Sequence, residues 1–256
     1  MRYFKDFAGK ISLALCAVLL FAVFCPVEAS AATGNFNKKK TVVIAQEDDF
    51  SHTQEYTWIK YKAPNHGYIT VTAQKKGASG AASGLFSLYD AKKKTPLSGD
   101  YAYNTAGAAA SYTVVYGVKK KTTYYLRVAA EGAVSVKCKF TKTSKSYANK
   151  KANAQNLAKG KLAKGIMAAG DNTADWYKVT VPKKQYLNFY FSGKASGKIQ
   201  LTFSGSYLNT AKRYVVQGDE AENRAYTIER VQPGNYYVKV ERADSVSSGF
   251  YTLKWY

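Results

Sequence analysis

Apolar and polar residues alternate with a period of two along much of this chain, and this alternation limits its fold more than any other feature. It is clearest in residues 68–73, 187–191 and 199–203. Successive side chains of a β-strand point to opposite faces, so alternate residues of each segment share one face of a sheet. Strands with one apolar and one polar face are typical of antiparallel sheets, and turn-rich segments separate them here. The pattern predicts an all-β protein, either a sandwich or a barrel.

The strand pattern occurs twice. The sequence Trp-Ile-Lys-Tyr at 58–61 corresponds to Trp-Tyr-Lys-Val at 176–179, and a second pair of matching segments follows in each half, at 124–128 and 236–240. Each half is about 105 residues long, the size of one small β-sandwich. The segment between them has few side chains that could join a core. We therefore predict two tandem antiparallel β-sandwich domains, each able to fold alone, joined by a solvated linker, with the ranges 36–141, 142–152 and 153–256.

The N-terminal residues have the features of a secretory signal. Three cations lie within residues 1–10, an apolar run follows at 11–24, and small residues stand at 29–31. We predict a signal peptide at 1–31. The apolar run is shorter than the roughly 20 residues of a membrane span, and no later segment approaches that length. We expect a secreted, extracellular protein without a transmembrane segment, either free or associated with the cell surface.

Composition argues against most kinds of enzyme. The formal net charge is +21, from 38 Lys and Arg against 17 Asp and Glu, and there are two histidines. Few histidines and no dense Cys/His grouping leave little with which to build a zinc site or a His-dependent active site. The sequence has no GxSxG, HExxH or P-loop motif. We predict a protein that is not an enzyme and has no cofactor other than the calcium considered below. Cys138, on the apolar register of its strand, is predicted to be a buried, inert thiol.

Several motifs of the second half occur together in a fixed order. They are Asn153, Ala154, Leu157, Gly160, Gly165, Ile166, Gly170-Asp171, Asp175 to Val179, Pro233 to Val240 and Gly249 to Leu253. In this pattern residues 153–256 resemble the bacterial pre-peptidase C-terminal domain, and the first half is similar at 58–61 and 124–128. The resemblance implies a jelly-roll-like, non-catalytic β-sandwich of an exported protein. Some members of that family bind collagen and some bind calcium.

Trp58 and Trp176 occupy the same position of the repeat and are candidate ligand-binding residues. Alternation places them on the polar faces of their strands, beside Lys60 and Lys178. An exposed indole there could stack on a sugar ring or on another protein. The alternative is that each indole lies under a neighbouring loop and lysine stems and serves only the fold.

Acidic residues in two regions are candidate calcium ligands. Glu47, Asp48 and Asp49 precede the first tryptophan strand, and Asp171 and Asp175 flank the start of the second. Calcium takes six to eight oxygen ligands, largely carboxylates and carbonyls of loops. Their spacing matches no EF-hand loop. The alternative is that these are solvated turn residues, with Asp175 bonding backbone at a strand start.

Lysine runs at 38–40, 92–94 and 119–121, with pairs at 150–151 and 183–184, fall mostly at predicted turns. They either keep a β-protein soluble or bind polyanions by charge. Nucleic acid is not expected, because export separates the chain from it.

The sequence therefore predicts a secreted bacterial binding protein whose partner is a cell-envelope polyanion, a glycan or an extracellular protein. The alternative is a structural or adaptor protein held on the anionic envelope by its basic surface.

Overall fold

The computed structural model describes residues 33–44, 56–75, 83–104, 111–131, 133–143, 148–208, 210–217 and 224–256. The predicted signal peptide lies outside these residues, as do the candidate ligands Glu47, Asp48 and Asp49. Within the described part of the chain, no helix has the length and hydropathy to cross a membrane.

The described residues of the first half form nine strands. They are β1 (Thr33–Asn35), β2 (Thr41–Ile44), β3 (Thr57–Lys62), β4 (Gly67–Lys75), β5 (Ser83–Tyr89), β6 (Tyr101–Asn104), β7 (Ser111–Val118), β8 (Thr123–Glu131) and β9 (Val134–Lys142). They build a five-stranded sheet in the order β1-β3-β8-β5-β6 and a four-stranded sheet in the order β2-β9-β4-β7. We call these the first outer sheet and the first inner sheet.

Nine more strands lie in the part of the second half that the structure describes. They are β10 (Gln155–Asn156), β11 (Leu162–Met167), β12 (Asp175–Val181), β13 (Gln185–Ser196), β14 (Lys198–Gly205), β15 (Lys212–Gln217), β16 (Arg224–Val231), β17 (Gly234–Arg242) and β18 (Ser248–Trp255). They form the second outer sheet, β10-β12-β17-β14-β15, and the second inner sheet, β11-β18-β13-β16. Adding nine to each strand number of the first half gives the order in the second, so the sequence repeat is also a repeat of topology.

Alternation along the strands accounts for the packing. In β4 the residues Ile69, Val71 and Ala73 are buried, while the residues between them are partly exposed. Side chains from both sheets of the first half form one hydrophobic cluster, and both sheets of the second half form another. The all-β fold is confirmed, with two sheets packed face to face in each half. The antiparallel arrangement has one exception in each half, since β1 pairs with β3, and β10 with β12, in parallel.

Strand β7 of the first half lies against the second half. Gly117 forms a parallel bridge with Ala168, and the backbone N–H of Ala169 donates to the Gly117 carbonyl at 2.9 Å. A Cβ on Gly117 would stand 2.2 Å from the Met167 carbonyl oxygen and 2.6 Å from that of Gly249. Only a residue without a side chain therefore allows the two backbones to approach this closely.

Side chains add to this interface. The rings of Tyr68 and Phe250 stack with centroids 4.1 Å apart, and Lys119 Nζ lies 3.6 Å from Asp171 Oδ2. Ala169 packs into the core of the first half. In the predicted linker, Ala148 is buried and its carbonyl accepts from the Trp176 N–H at 2.8 Å. The domain boundaries and the independent folding of each half remain predictions.

Candidate functional site

The polar face of the first outer sheet carries two rows of aromatic and basic side chains. Cross-strand pairing sets Trp58 of β3 opposite Arg127 of β8, and Lys60 opposite Tyr125. On the other side of β8, Tyr89 of β5 pairs with Tyr125. Because residues two apart on a strand share a face, these side chains are neighbours on one surface. The structure therefore places Trp58 and Lys60 where alternation predicts, and Trp58 is half-buried.

Arg127 is held within this surface by several partners. Its guanidinium carbon lies 4.5 Å from the ring centroid of Tyr56 and 5.0 Å from that of Tyr89. Its Nη2 atom donates to Ser87 Oγ at 3.1 Å and pairs with Asp100 Oδ1 at 2.9 Å. These contacts neutralise Arg127 and fix its plane, so it supports the surface and offers little charge to a ligand.

A groove of about 760 Å³ opens beside these rows. Its lining includes four lysines and the ring of Tyr125; the lining residues are Gly34, Asn35, Lys38, Lys39, Thr41, Val42, Val43, Lys60, Lys93 and Tyr125. We call it the lysine groove. No carboxylate stands among these residues, although the chain as described carries acidic groups elsewhere on its surface. Lysines grouped on one surface, with no carboxylate among the described lining residues, create a local positive potential that attracts anions.

The turn that carries two of the lysines is fixed by an asparagine. The side chain of Asn37 donates from Nδ2 to the Lys62 carbonyl at 2.8 Å, and its Oδ1 accepts from the Lys62 N–H at 2.6 Å. The backbone N–H groups of Lys38 and Lys39 both donate to the Asn35 carbonyl. This turn is therefore tied to β3, and it presents Lys38 and Lys39, both exposed, at the rim of the groove.

The second outer sheet repeats this pairing, and its central cation has a carboxylate partner, as Arg127 has in Asp100. Trp176 lies opposite Lys239, whose Nζ is 5.8 Å from the indole centroid, and Lys178 lies opposite Tyr237. Lys239 also pairs with Glu241 at 2.5 Å, and Gln200 donates to the same carboxylate. Trp176 and Lys178 thus occupy the equivalent surface, in which a carboxylate already neutralises the central cation.

The two described acidic candidates have protein partners. Asp171 accepts from the Thr173 N–H at 3.1 Å, in addition to its ion pair with Lys119. Asp175 is buried, and Tyr251 donates its hydroxyl proton to Asp175 Oδ2 at 2.6 Å. Burial raises the pKa of Tyr251 well above its usual value, so the hydroxyl remains a donor. Asp175 is thus not solvated, and it stands at the first position of β12; backbone bonding by its carboxylate stays a prediction.

Among the described residues, no group of three or more His, Cys, Asp or Glu side chains is placed to hold a metal ion. Calcium binding that involves Glu47, Asp48 and Asp49 stays a prediction.

The prediction for Cys138 is confirmed, since the thiol is buried and burial raises its pKa to about 12.

Sequence reasoning missed the groove itself. The pairing of Lys60 with Tyr125 was accessible, because the repeat aligns both residues with a Lys and a Tyr of the second half. The position of Lys93 beside Tyr125 could not be predicted from the sequence, because it depends on the path of the turn after β5. Lys38 and Lys39 were recognised as a basic turn without any indication of what they face.

Comparison with known proteins gives likenesses in structure alone. No family model matches the chain, and no curated protein does. Among solved structures, the pre-peptidase C-terminal domain of a Bacillus anthracis collagenase is 16% identical with a TM-score of 0.33, over 45% of this chain and 100% of that one. Tripeptidyl peptidase 2 is 8% identical with a TM-score of 0.29, over 85% of this chain and 23% of that one. The PBSX exported protein XepA is 12% identical with a TM-score of 0.23, over 84% of this chain and 86% of that one. Membership of the pre-peptidase C-terminal family stays a prediction.

Proposed function

We propose that this chain is a secreted, non-catalytic protein that binds an anionic polymer of the cell envelope in the lysine groove. The observation that carries the proposal is that four lysines and an aromatic ring line one groove, and that none of its described lining residues carries a carboxylate. Repeating phosphate or carboxylate groups would pair with the ammonium groups. The ring of Tyr125 offers a flat apolar surface to a sugar or a polyol carbon chain.

The geometry favours a polymer over a small ion. The groove is open and its lysines stand on separate elements: the β1–β2 turn, β3 and the turn after β5. Separate cations suit charges spaced along a chain, whereas a single anion is usually held by converging donors at one point. A non-catalytic role agrees with the partners of Arg127 and Asp175, which are engaged in structural contacts.

The test compares two variants that lose the same charge in different places. The groove variant changes Lys38, Lys39 and Lys60 to Gln. The control changes Lys161, Lys183 and Lys184, which are exposed on the second half, to Gln. Binding is measured by affinity electrophoresis on two probes, polygalacturonate and poly(glycerol phosphate), so that carboxylate and phosphate polymers are distinguished.

We expect the groove variant to lose about tenfold in affinity, because three exposed ion pairs contribute about 0.5 kcal/mol each. The control should lose less than about twofold by the same reasoning, since charges beyond the ~10 Å screening length at 0.1 M salt contribute little. Equal losses would mean that diffuse charge holds the protein on polyanions. That result would favour the alternative, an adaptor retained on the envelope by its basic surface.

A further inference from the structure

Lys93 differs from the other two lysines of its run. Lys92 and Lys94 are exposed, whereas Lys93 is half-buried. Its Nζ atom lies 5.3 Å from the centroid of the Trp58 indole and 4.8 Å from that of the Tyr125 ring. An ammonium group within about 6 Å of a ring centroid is attracted by the negative face of the ring. One cation therefore lies over both rings, of which Tyr125 lines the lysine groove and Trp58 lies on the same face as Lys60, which also lines it.

Hydrogen bonds to Asp90 fix the backbone of the turn after β5, from which the Lys93 side chain extends. Asp90 Oδ1 accepts from the backbone N–H groups of Lys92 at 3.2 Å, Lys94 at 2.9 Å and Thr95 at 3.3 Å. These bonds lower the pKa of the Asp90 carboxyl, which keeps it an acceptor at neutral pH. The Asp90 N–H also donates to the Thr95 carbonyl at 3.0 Å. The backbone of the turn is thus fixed independently of the Lys93 side chain.

Lys93 itself has a φ of +59°, in the left-handed region that residues with a Cβ rarely adopt. Its N–H donates to the Asp90 carbonyl at 3.1 Å, which closes the turn around it. A lysine is an unfavourable choice for this backbone compared with Gly or Asn. Lys121 has the same backbone conformation, with a φ of +62°, so what distinguishes Lys93 is the position of its ammonium group over the two rings.

We infer that Lys93 is the specificity-determining residue of the lysine groove, admitting anionic polymers to the aromatic surface of Trp58 and Tyr125 and excluding neutral ones. The inference rests on the proposed function. A ligand that stacks on either ring must displace the ammonium group and forfeit its attraction to the rings. An anionic ligand replaces that attraction with an ion pair to the displaced Lys93, whereas a neutral ligand offers no replacement.

The experiment uses two polymers with one backbone: polygalacturonate and its methyl ester, in which the carboxylates are neutralised. Three full-length proteins are compared by affinity electrophoresis: the wild type, Lys93→Asn and the matched control Lys92→Asn. Asn tolerates the left-handed backbone, removes the charge and is too short to cover the rings. Both variants lose one positive charge from the same turn, so a loss of net charge affects them equally, and only Lys93→Asn removes a cation from Trp58 and Tyr125.

We expect the wild type to prefer polygalacturonate to the ester by at least tenfold. Lys93→Asn should bind the ester at least threefold more tightly than the wild type does, while Lys92→Asn keeps the affinity of the wild type for the ester. A Lys93→Arg variant should restore the preference, because its guanidinium also stacks on rings. If the two Asn variants bind the ester alike, the selective role of Lys93 is refuted.

The two proposals fail in different ways. If polygalacturonate binds through Lys38, Lys39 and Lys60 but Lys93→Asn leaves ester binding unchanged, only the role of Lys93 is lost. If the wild type binds polygalacturonate no better than its ester, or independently of those three lysines, both proposals fall. Thermal unfolding of each variant controls for the fold. Lys93→Gly, which suits the same backbone, replaces Lys93→Asn in all comparisons if the latter does not fold.

Discussion

Replacing Gly117 by Ala should weaken the contact between the two halves. The Cβ of Ala would stand 2.2 Å from the Met167 carbonyl oxygen and 2.6 Å from that of Gly249. Both oxygens belong to backbone, so neither can rotate away as the end of a side chain would. An ordinary C···O contact is about 3.3 Å, so β7 must move away from Met167 by roughly 1 Å.

The expected loss in the free energy of unfolding follows from that displacement of β7. A shift of roughly 1 Å would stretch the 2.9 Å bond from the Ala169 N–H to the Gly117 carbonyl beyond hydrogen-bond distance. Losing it costs about 0.5–1.5 kcal/mol, and overpacking adds about 1–3 kcal/mol. We expect the free energy of unfolding to fall by about 2–4 kcal/mol. For a chain of this size that lowers Tm by roughly 10 °C.

The assay is thermal unfolding followed by circular dichroism and by differential scanning calorimetry. Gly99→Ala is the matched control, because a Cβ at Gly99 meets nothing within 4 Å. The control should unfold within about 0.5 kcal/mol of the wild type, as surface substitutions usually do. If Gly117→Ala unfolds at the same temperature as Gly99→Ala, the backbones do not approach at Gly117, and the docking of the halves through β7 is wrong.

Two further predictions concern the buried polar groups. Tyr251→Phe removes the hydroxyl that donates to Asp175, and it should lower the free energy of unfolding in urea by about 2 kcal/mol, as expected for a bond to a carboxylate. Tyr186→Phe, at a ring that is 57% exposed, should change it little, and equal effects would contradict a buried Tyr251–Asp175 bond. The Cys138 thiol, with its pKa raised from 9.0 to about 12, should have a thiolate fraction at pH 8 that is ~1000-fold lower than in the unfolded chain. In a variant with Cys16 and Cys25 changed to Ser, Ellman's reagent should therefore react with Cys138 only after urea is added, and rapid reaction of the folded protein would contradict its burial.

The sequence by itself determined which face of each strand is buried. Ile69 and Val71 enter the core because successive residues of a strand point to opposite sides, whatever the strand pairs with. The same rule placed Cys138 inside and Trp58 on the outer surface. The sequence repeat predicts the same outward position for Trp176, and the two halves share one strand order.

The tertiary structure decided what meets on those surfaces. The sequence offers Asp175 as a calcium ligand or a strand-start residue, yet the packing of the two sheets brings Tyr251 to it from 76 positions away. Lys93 reaches Trp58 only because β8 lies between β3 and β5, which sets the turn after β5 over the outer sheet. No sequence pattern marks Gly117, which the structure makes a point of close backbone contact. Side-chain direction along a strand is a local property of the backbone, whereas the neighbours of a side chain depend on which strands pair, and long-range pairing leaves no period in the sequence.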